Sequence, residues 1–196
     1  MAVNLTRIYT RTGDDGTTRL GDMSKTSKTD PRLIAYADTD EANSHIGVAI
    51  ALGQLEPEVS ATLTRIQNEL FDVGADLSNP VVENPEWTPL RIEQADIDRL
   101  ERDCDHYNES LENLRSFILP SGTPGSALLH VARTVARRAE RSAWAAIDAH
   151  GDAMNVLTAK YLNRLSDLLF ILARYANRET GDVLWVPGGS REQGSH

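Results

Sequence analysis

Residues 125–150 read GSALLHVARTVARRAERSAWAAIDAH. The stretch has no proline and is rich in Ala, Leu and Arg, which predicts one long helix. At about 100° per residue, Leu128, Ala132, Val135, Ala139, Ser142 and Ala146 share one stripe. Arg133, Arg137, Glu140 and Arg141 fall on the opposite side, with Arg138 on the border. Arginines at i, i+4 and i+8 form a ladder of guanidinium forks, and each fork can hold two oxygens of a polyphosphate. Such a row is also a common form of solvated face or structural ion-pair set. Both readings stand on this helix alone.

The row sits in an acidic chain. The sequence has 196 residues, with 20 Lys and Arg against 29 Asp and Glu, for a formal net charge of −9. That balance argues against a general nucleic-acid binder and makes the arginine row a local reversal of charge. Length and composition are those of one globular domain with a good core. The single cysteine, Cys104, excludes an internal disulfide and fits a reducing compartment. Its neighbours Arg102, Asp103 and Asp105 give no clear activation of a thiolate, so it is read as incidental. The chain opens without a signal-type apolar run, and no stretch approaches ~18 apolar residues. A soluble, cytoplasmic protein with no membrane partner is therefore expected.

Outward from the row, the chain reads as helices. Residues 116–124, SFILPSGTP, are a short apolar run broken by Pro and Gly that feeds the arginine helix. Phe117 is thereby placed near the helix N-terminus, either as a core plug or as a ligand-facing aromatic. Asp30-Pro31 is a helix start, with Asp as N-cap and Pro in the first turn, and this helix is expected to reach about Gly53. Ala35, Ala42, Ile46 and Ala49 line its apolar face; Asp40, Asn43, Ser44 and Gly47 line the other. A second helix after Pro57 carries Val59, Leu63, Ile66, Leu70, Val73 and Leu77 in a bundle stripe. Residues 78–89 hold three prolines and read as a loop. A third helix is expected from Arg91 to about Leu114, with Ile97, Leu100, Cys104, Tyr107 and Leu111 inward. The last, about Met154 to Asn177, carries Leu157, Tyr161, Leu165, Leu168, Leu172 and Tyr175 on one stripe. Arg164 and Asp167 on it are spaced to pair. No His has a second His or Cys at metal-ligand spacing, so no metal site is assigned. The fold expected is all-α, a five-helix bundle with an irregular glycine-rich N-terminal arm.

That arm, IYTRTGDDGTTRLGD at 8–22, spaces Gly13, Gly16 and Gly21 for sharp turns and offers threonine hydroxyls and basic side chains. It lacks the Walker A spacing and the alternating ligands of an EF-hand. Two readings remain: an anion-binding loop, or a polar hairpin with Asp-Gly at its turn.

Four stretches in this order, TRTGDDGTTRL (10–20), DPRLIAYADTDEANS (30–44), FILPSGTPGSALLHVARTVARRAER (117–141) and YLNRLSDLLFILARYAN (161–177), resemble the PduO-type ATP:cob(I)alamin adenosyltransferases. The resemblance spans about Ile8 to Asn177; the arginine-helix and NRLSD motifs carry it most specifically. It implies one corrinoid adenosyltransferase domain over 1–196, with an ATP loop at about 8–29, a bundle at about 30–178 and a loose tail at about 179–196. It implies an ATP site made from Thr10, Arg11, Thr12, Gly13, Thr18, Arg19 and Lys28 on one side. Arg137, Arg138, Glu140, Arg141 and Asn163 make the other, with Mg²⁺ on the phosphates. In similar proteins the two halves come from neighbouring subunits of a homotrimer. Asp40 matches a carboxylate that pairs with the arginine at Arg133 beside the corrinoid, and Phe117 matches the aromatic under the corrin ring. The chain departs from the usual Leu-Pro-Gly-Gly at Leu119-Pro120-Ser121-Gly122, and Thr123-Pro124-Gly125 is stiffer than usual. Both departures lie in the loop that presents Phe117.

The activity implied is transfer of the 5′-deoxyadenosyl group of ATP to the cobalt of cob(I)alamin, with release of triphosphate. Co(I) is itself the nucleophile, which fits a chain without a Ser, Cys or His nucleophile constellation. Phe117, Asp40, Arg133 and Arg137 are then the catalytic set. A reductase that supplies Co(I) and an adenosylcobalamin-dependent acceptor such as methylmalonyl-CoA mutase are the implied partners. The alternative is a non-catalytic nucleotide or corrinoid carrier on the same bundle.

Overall fold

Asp30-Pro31 starts the bundle as its chemistry dictates. The Asp30 carboxylate accepts from the Arg32 amide at 2.8 Å, and Pro31 sits where its missing N–H leaves no hydrogen bond unmade. The computed structural model describes residues 9–85 and 87–189. It holds a short antiparallel hairpin, β1 (Thr17–Arg19) and β2 (Lys25–Ser27), with Thr18 opposite Thr26. Five helices follow: α1 (Pro31–Leu52), α2 (Pro57–Leu77), α3 (Gln94–Asn108), α4 (Pro124–His150) and α5 (Val156–Ala176). A single 3₁₀ turn, Gly151–Ala153, links the last two. α1 packs against α4 and α2, and α5 packs against α4 and α3.

The five helices lie where the apolar periodicity puts them, and the differences have local causes. α3 is shorter than expected at both ends. Upstream, the Arg91 side chain and the Ile92 amide are both bound to Asp76, which leaves Glu93 to cap α3 in a reciprocal box with Asp96. Downstream, Asn108 ends the helix, so Leu111 and Leu114 lie outside it. The hairpin turn lies at residues 20–24, not at Asp15-Gly16, which instead closes the turn before β1. Asn43, read as part of the polar face, is buried and donates to the Gln67 carbonyl at 3.0 Å. The inner stripe of α4 is centred one position away from the expected one. Leu129, Ala132, Ala136, Ala139, Ala143 and Ala146 are fully buried, while Leu128 and Ser142 lie at its edge. The exit segment is not loose from residue 179 on. Leu119 N donates to Val183 O at 2.7 Å and Trp185 N to Phe117 O at 2.9 Å, so residues 183–185 run antiparallel to residues 117–119. Residues 190–196 of the expected tail lie outside the described residues.

Two buried carboxylates fasten the bundle. Asp76, at the end of α2, accepts from Arg91 at 2.5 Å, the Ile92 amide at 2.8 Å and Asn155 at 2.7 Å. It thereby joins α2, the entry to α3 and the N-cap of α5. Glu69 accepts from Arg65 at 2.6 Å, Arg99 at 2.7 Å and the Tyr161 hydroxyl at 2.6 Å, which ties α2 to α3 and α5. Burial, and then the Glu69 charge, push the Tyr161 phenol well above its usual range, so it stays a donor. Removing Glu69 leaves that hydroxyl buried without a partner and two arginines without their shared anion. Glu69→Ala is expected to destabilise the protein by about 3 kcal/mol in urea denaturation at fixed protomer concentration. A loss below about 1 kcal/mol would show that the network is dispensable.

Candidate functional site

The alanine face of α4 turns its arginines outward, toward α5 on one side and α1 on the other. Arg133 is half-buried. Its Nε donates to His130 Nδ1 at 3.3 Å, and its guanidinium lies 6.0 Å from the Phe170 ring centre. Burial, and then the charge of Arg137, disfavour its cationic form, so the position favours an incoming anion. Arg133 and Arg137 line a cleft with Ser166, Asp167 and Phe170 of α5. Arg137 and Arg141 are exposed, and Arg141 Nη1 donates to the Arg137 carbonyl at 3.0 Å. Asn163 Nδ2 donates to Glu140 Oε1 at 3.0 Å, so the structure joins these two expected site residues across α4 and α5. Arg138 is placed apart from the row: it pairs with Glu41 and Asp38 of α1. Among the described residues, Arg133, Arg137 and Arg141 have no ion pair.

Phe117 is 78% exposed, which removes the core-plug reading. It stands at the rim of an apolar hollow of about 790 Å³ lined by Leu114, Phe117, Trp185, Phe170, His130 and Arg133. The loop that carries it is clasped by Asn177. The Asn177 Oδ1 accepts from the Thr123 amide at 2.9 Å, and its Nδ2 donates to Ser121 O at 3.0 Å. Gly122 has φ +112 and lies against Asn177, where a Cβ would collide with the amide; glycine is required there, whereas Ser121 meets no such restriction. Thr123 then caps α4 by accepting from Ser126 N at 3.2 Å. Trp185 was not found by sequence reasoning. Its ring meets Phe117 edge-on with centroids 5.9 Å apart. The signal was the short apolar run Val183–Val186 after Gly181, which has the length of a strand segment.

The glycine arm forms a compact turn ahead of the hairpin. Arg11 adopts φ +63 and Gly16 φ +80, and the Thr10 and Thr12 hydroxyls lie 2.9 Å apart. A Cβ on Gly13 would lie 3.0 Å from Lys28 Nζ and from Thr17 O, so the absent side chain is what lets Lys28 reach the turn. Thr18 faces Thr26 across the hairpin, and Arg19 Nη1 donates to Met23 O at 2.8 Å. Hydrogen bonds from Thr17, and then from Lys25, hold Asp15 down at about 2. The arm therefore has both features weighed for it, a hairpin and a preceding glycine turn that gathers basic and hydroxyl groups. It is fastened near the C-terminal ends of α2 and α4: Gly21 N donates to Ser78 O at 2.9 Å, and Asp30 meets His150 at 2.8 Å. No hydrogen bond or ion pair among the described residues joins residues 10–28 to the arginine row. Asp40 likewise lies apart from Arg133. It is exposed in the groove between α1 and α2, beside Tyr36, Phe71 and Gly74. The expected Asp40–Arg133 pair is not made within one chain.

Comparison with known proteins gives one answer. The profile of the cobalamin adenosyltransferase family matches residues 8–176. A corrinoid adenosyltransferase of Mycobacterium tuberculosis is 68% identical over 97% of this chain and 98% of its own length. A cobalamin adenosyltransferase of Cupriavidus metallidurans is 46% identical over 94% of this chain and 97% of its own. A variant PduO-type ATP:corrinoid adenosyltransferase from Lactobacillus reuteri, solved in complex with cobalamin and ATP, superposes with a TM-score of 0.83 at 36% identity. That match covers 91% of this chain and 99% of the other.

The pairing of residues 183–185 with 117–119 has a direct check. Trp185→Ala is expected to raise hydrogen exchange at the amides of Leu119 and of position 185 while leaving the amides of α4 and α5 protected. Unchanged exchange at both amides would contradict a strand held by the Phe117–Trp185 contact.

Proposed function

The chain belongs to the cobalamin adenosyltransferase family, and from that premise and the site geometry we infer that it transfers the 5′-deoxyadenosyl group of ATP to the cobalt of cob(I)alamin. The observation that carries this reading is a row of three arginines with no ion pair among the described residues, one of which, Arg133, borders an open apolar hollow edged by an exposed phenylalanine. The first suits a triphosphate and the second suits the face of a corrin ring. The carrier alternative is not favoured, because the relatives that span the whole chain are named as transferases.

In the reaction the cobalt–C5′ bond forms with the electron pair of Co(I), the C5′–oxygen bond breaks, and triphosphate leaves with that bond pair. The protein's tasks are to hold C5′ in line with cobalt and to stabilise the leaving charge. Arg137 and Arg141 take the phosphates, with Arg19 and Lys28 from the glycine arm. Thr10, Arg11, Thr12, Gly13 and Thr18 shape the loop around them. Mg²⁺ would add its charge to that of the arginines in neutralising the triphosphate. Glu140, held by Asn163, is the carboxylate of the row that would meet its water. Arg138, already paired with α1, supports the helix rather than the nucleotide.

The glycine arm and the arginine row are separated in one chain, and so are Asp40 and Arg133. A homotrimer in which each arm closes over the next chain's α4 brings both pairs together, so the site lies between subunits. Phe117 lies beneath the corrin and excludes water and the lower axial base from cobalt. Four-coordinate Co(II) is then more easily reduced by a separate reductase. The product passes to an adenosylcobalamin-dependent enzyme such as methylmalonyl-CoA mutase, and the setting is cytoplasmic.

Arg137→Ala is expected to weaken ATP binding by ~1.5–3 kcal/mol, roughly 10- to 150-fold, in calorimetry. Mixing Arg137→Ala chains with Lys28→Ala chains is expected to restore about one quarter of the sites if chains exchange at random around a three-fold axis. No recovery would contradict a shared site. Phe117→Ala is expected to slow reduction and turnover with ATP affinity changed by less than about twofold. Wild-type turnover in that variant would remove Phe117 from the mechanism.

A further inference from the structure

His130 is 3% exposed, and its ring is secured on one side only. Nδ1 accepts from Arg133 Nε at 3.3 Å, and the ring lies edge-on to Phe170 with centroids 6.0 Å apart. A ring nitrogen that accepts carries no proton, so the neutral imidazole carries its proton on Nε2. That Nε2 is closed off from solvent and has no hydrogen-bond partner among the described residues. Asp182 has the complementary defect. Its Oδ2 accepts from Arg174 Nε at 2.9 Å, while Oδ1 is buried and accepts from no described donor. His130 lines the same hollow as Trp185, three residues on from Asp182, and the charge of Asp182 acts on the His130 ring. A buried donor and a buried acceptor left over in one place are each costly alone and satisfied together.

We propose that His130 is a positioning residue for Arg133, with Asp182 Oδ1 receiving the His130 Nε2–H hydrogen bond through one water and so fixing the tautomer whose Nδ1 receives Arg133. The proposal rests on the reading that Arg133 faces the corrinoid. It makes a continuous chain from Arg174 of α5, through Asp182 of the exit segment, to His130 and Arg133 of α4. Docking of residues 182–185 beside Phe117 and orientation of Arg133 then become one event. The charged groups facing His130 are Arg133 on its own helix and Asp182 from the exit segment, with Arg174 behind Asp182 and Arg115 on the same hollow. Burial, and then Arg133, hold the imidazole below its ordinary 6.5, with Asp182 acting the other way, so the ring is neutral near pH 7.

The test is the ¹⁵N tautomer of His130 in the full-length assembled protein, read without corrinoid at pH 7.5. The expected result is an Nε2–H ring with Nδ1 as acceptor. An Nδ1–H ring, or a rapid average of the two, would overturn the proposal without any variant having to fold. Asp182→Asn turns an amide N–H toward His130, because the amide oxygen stays on Arg174. It is expected to move the ring proton to Nδ1 and to weaken cob(II)alamin binding by about tenfold while ATP affinity shifts by less than about twofold. A tautomer that does not respond, or equal losses for both ligands, would overturn the positioning role. If the tautomer responds but cob(II)alamin affinity does not, the positioning role fails. If Arg133→Ala is also silent for cob(II)alamin, the failure lies in the reading of Arg133 itself.

Discussion

The close approach of α4 to α1 through alanine is the constraint on which the rest depends. Ala132, Ala136, Ala139, Ala143 and Ala146 of α4 are fully buried, as are Ala35, Ala42 and Ala49 of α1. Short side chains on both surfaces allow the helices to pack closely at native density. A helix seated through so narrow an apolar stripe has no freedom to rotate. Its remaining positions are therefore assigned: Arg138 goes to the acids of α1, while Arg133, Arg137 and Arg141 go to the open side. The arginine row faces the open side because the alanine seam leaves it nowhere else to point.

The fold also separates two uses of the same side chain. Arg65, Arg91, Arg99 and Arg174 each meet a carboxylate that is largely buried, and they hold helices together. Breaking such a pair exposes a desolvated charge, so these contacts are costly to lose. Arg133, Arg137 and Arg141 have no such partner among the described residues; Arg133 lines the apolar hollow, and Arg133 and Arg137 line the cleft against α5. The net charge of −9 sharpens this contrast, since acidic side chains are abundant yet Glu140, the carboxylate on the row's face, bonds Asn163 rather than an arginine. Steering of an anionic ligand to such a place is local and survives an unfavourable overall charge.

Much of this was legible in the sequence because it is periodic. The stripe Val59, Leu63, Ile66, Leu70, Val73 and Leu77 is buried throughout α2, and Asp30-Pro31 begins α1. What escaped was the set of contacts between distant segments. Little local to Glu69 or Asp76 announces that they are interior, because apart from Arg65 their partners come from distant segments. The extent of α3 was overread since Asp76, a residue fifteen positions upstream of Arg91, claims the segment before it. Trp185 and Asp182 were passed over as tail, although they pair with the Phe117 loop and with Arg174. The expected site residues come from motifs, yet their division into groups that do not meet within one chain is a fact of three dimensions. Asp40 faces the groove between α1 and α2, and Arg133 faces α5, on a chain whose linear motifs give no sense of side.

The most direct measurement is an anaerobic optical assay in which Mg-ATP is added to the protein with fully reduced cobalamin and the Co(I) absorption band is followed. Loss of the band that requires both ATP and protein, with adenosylcobalamin and triphosphate formed in equal amounts, is the predicted result. Binding of both ligands with the Co(I) band unchanged would contradict it.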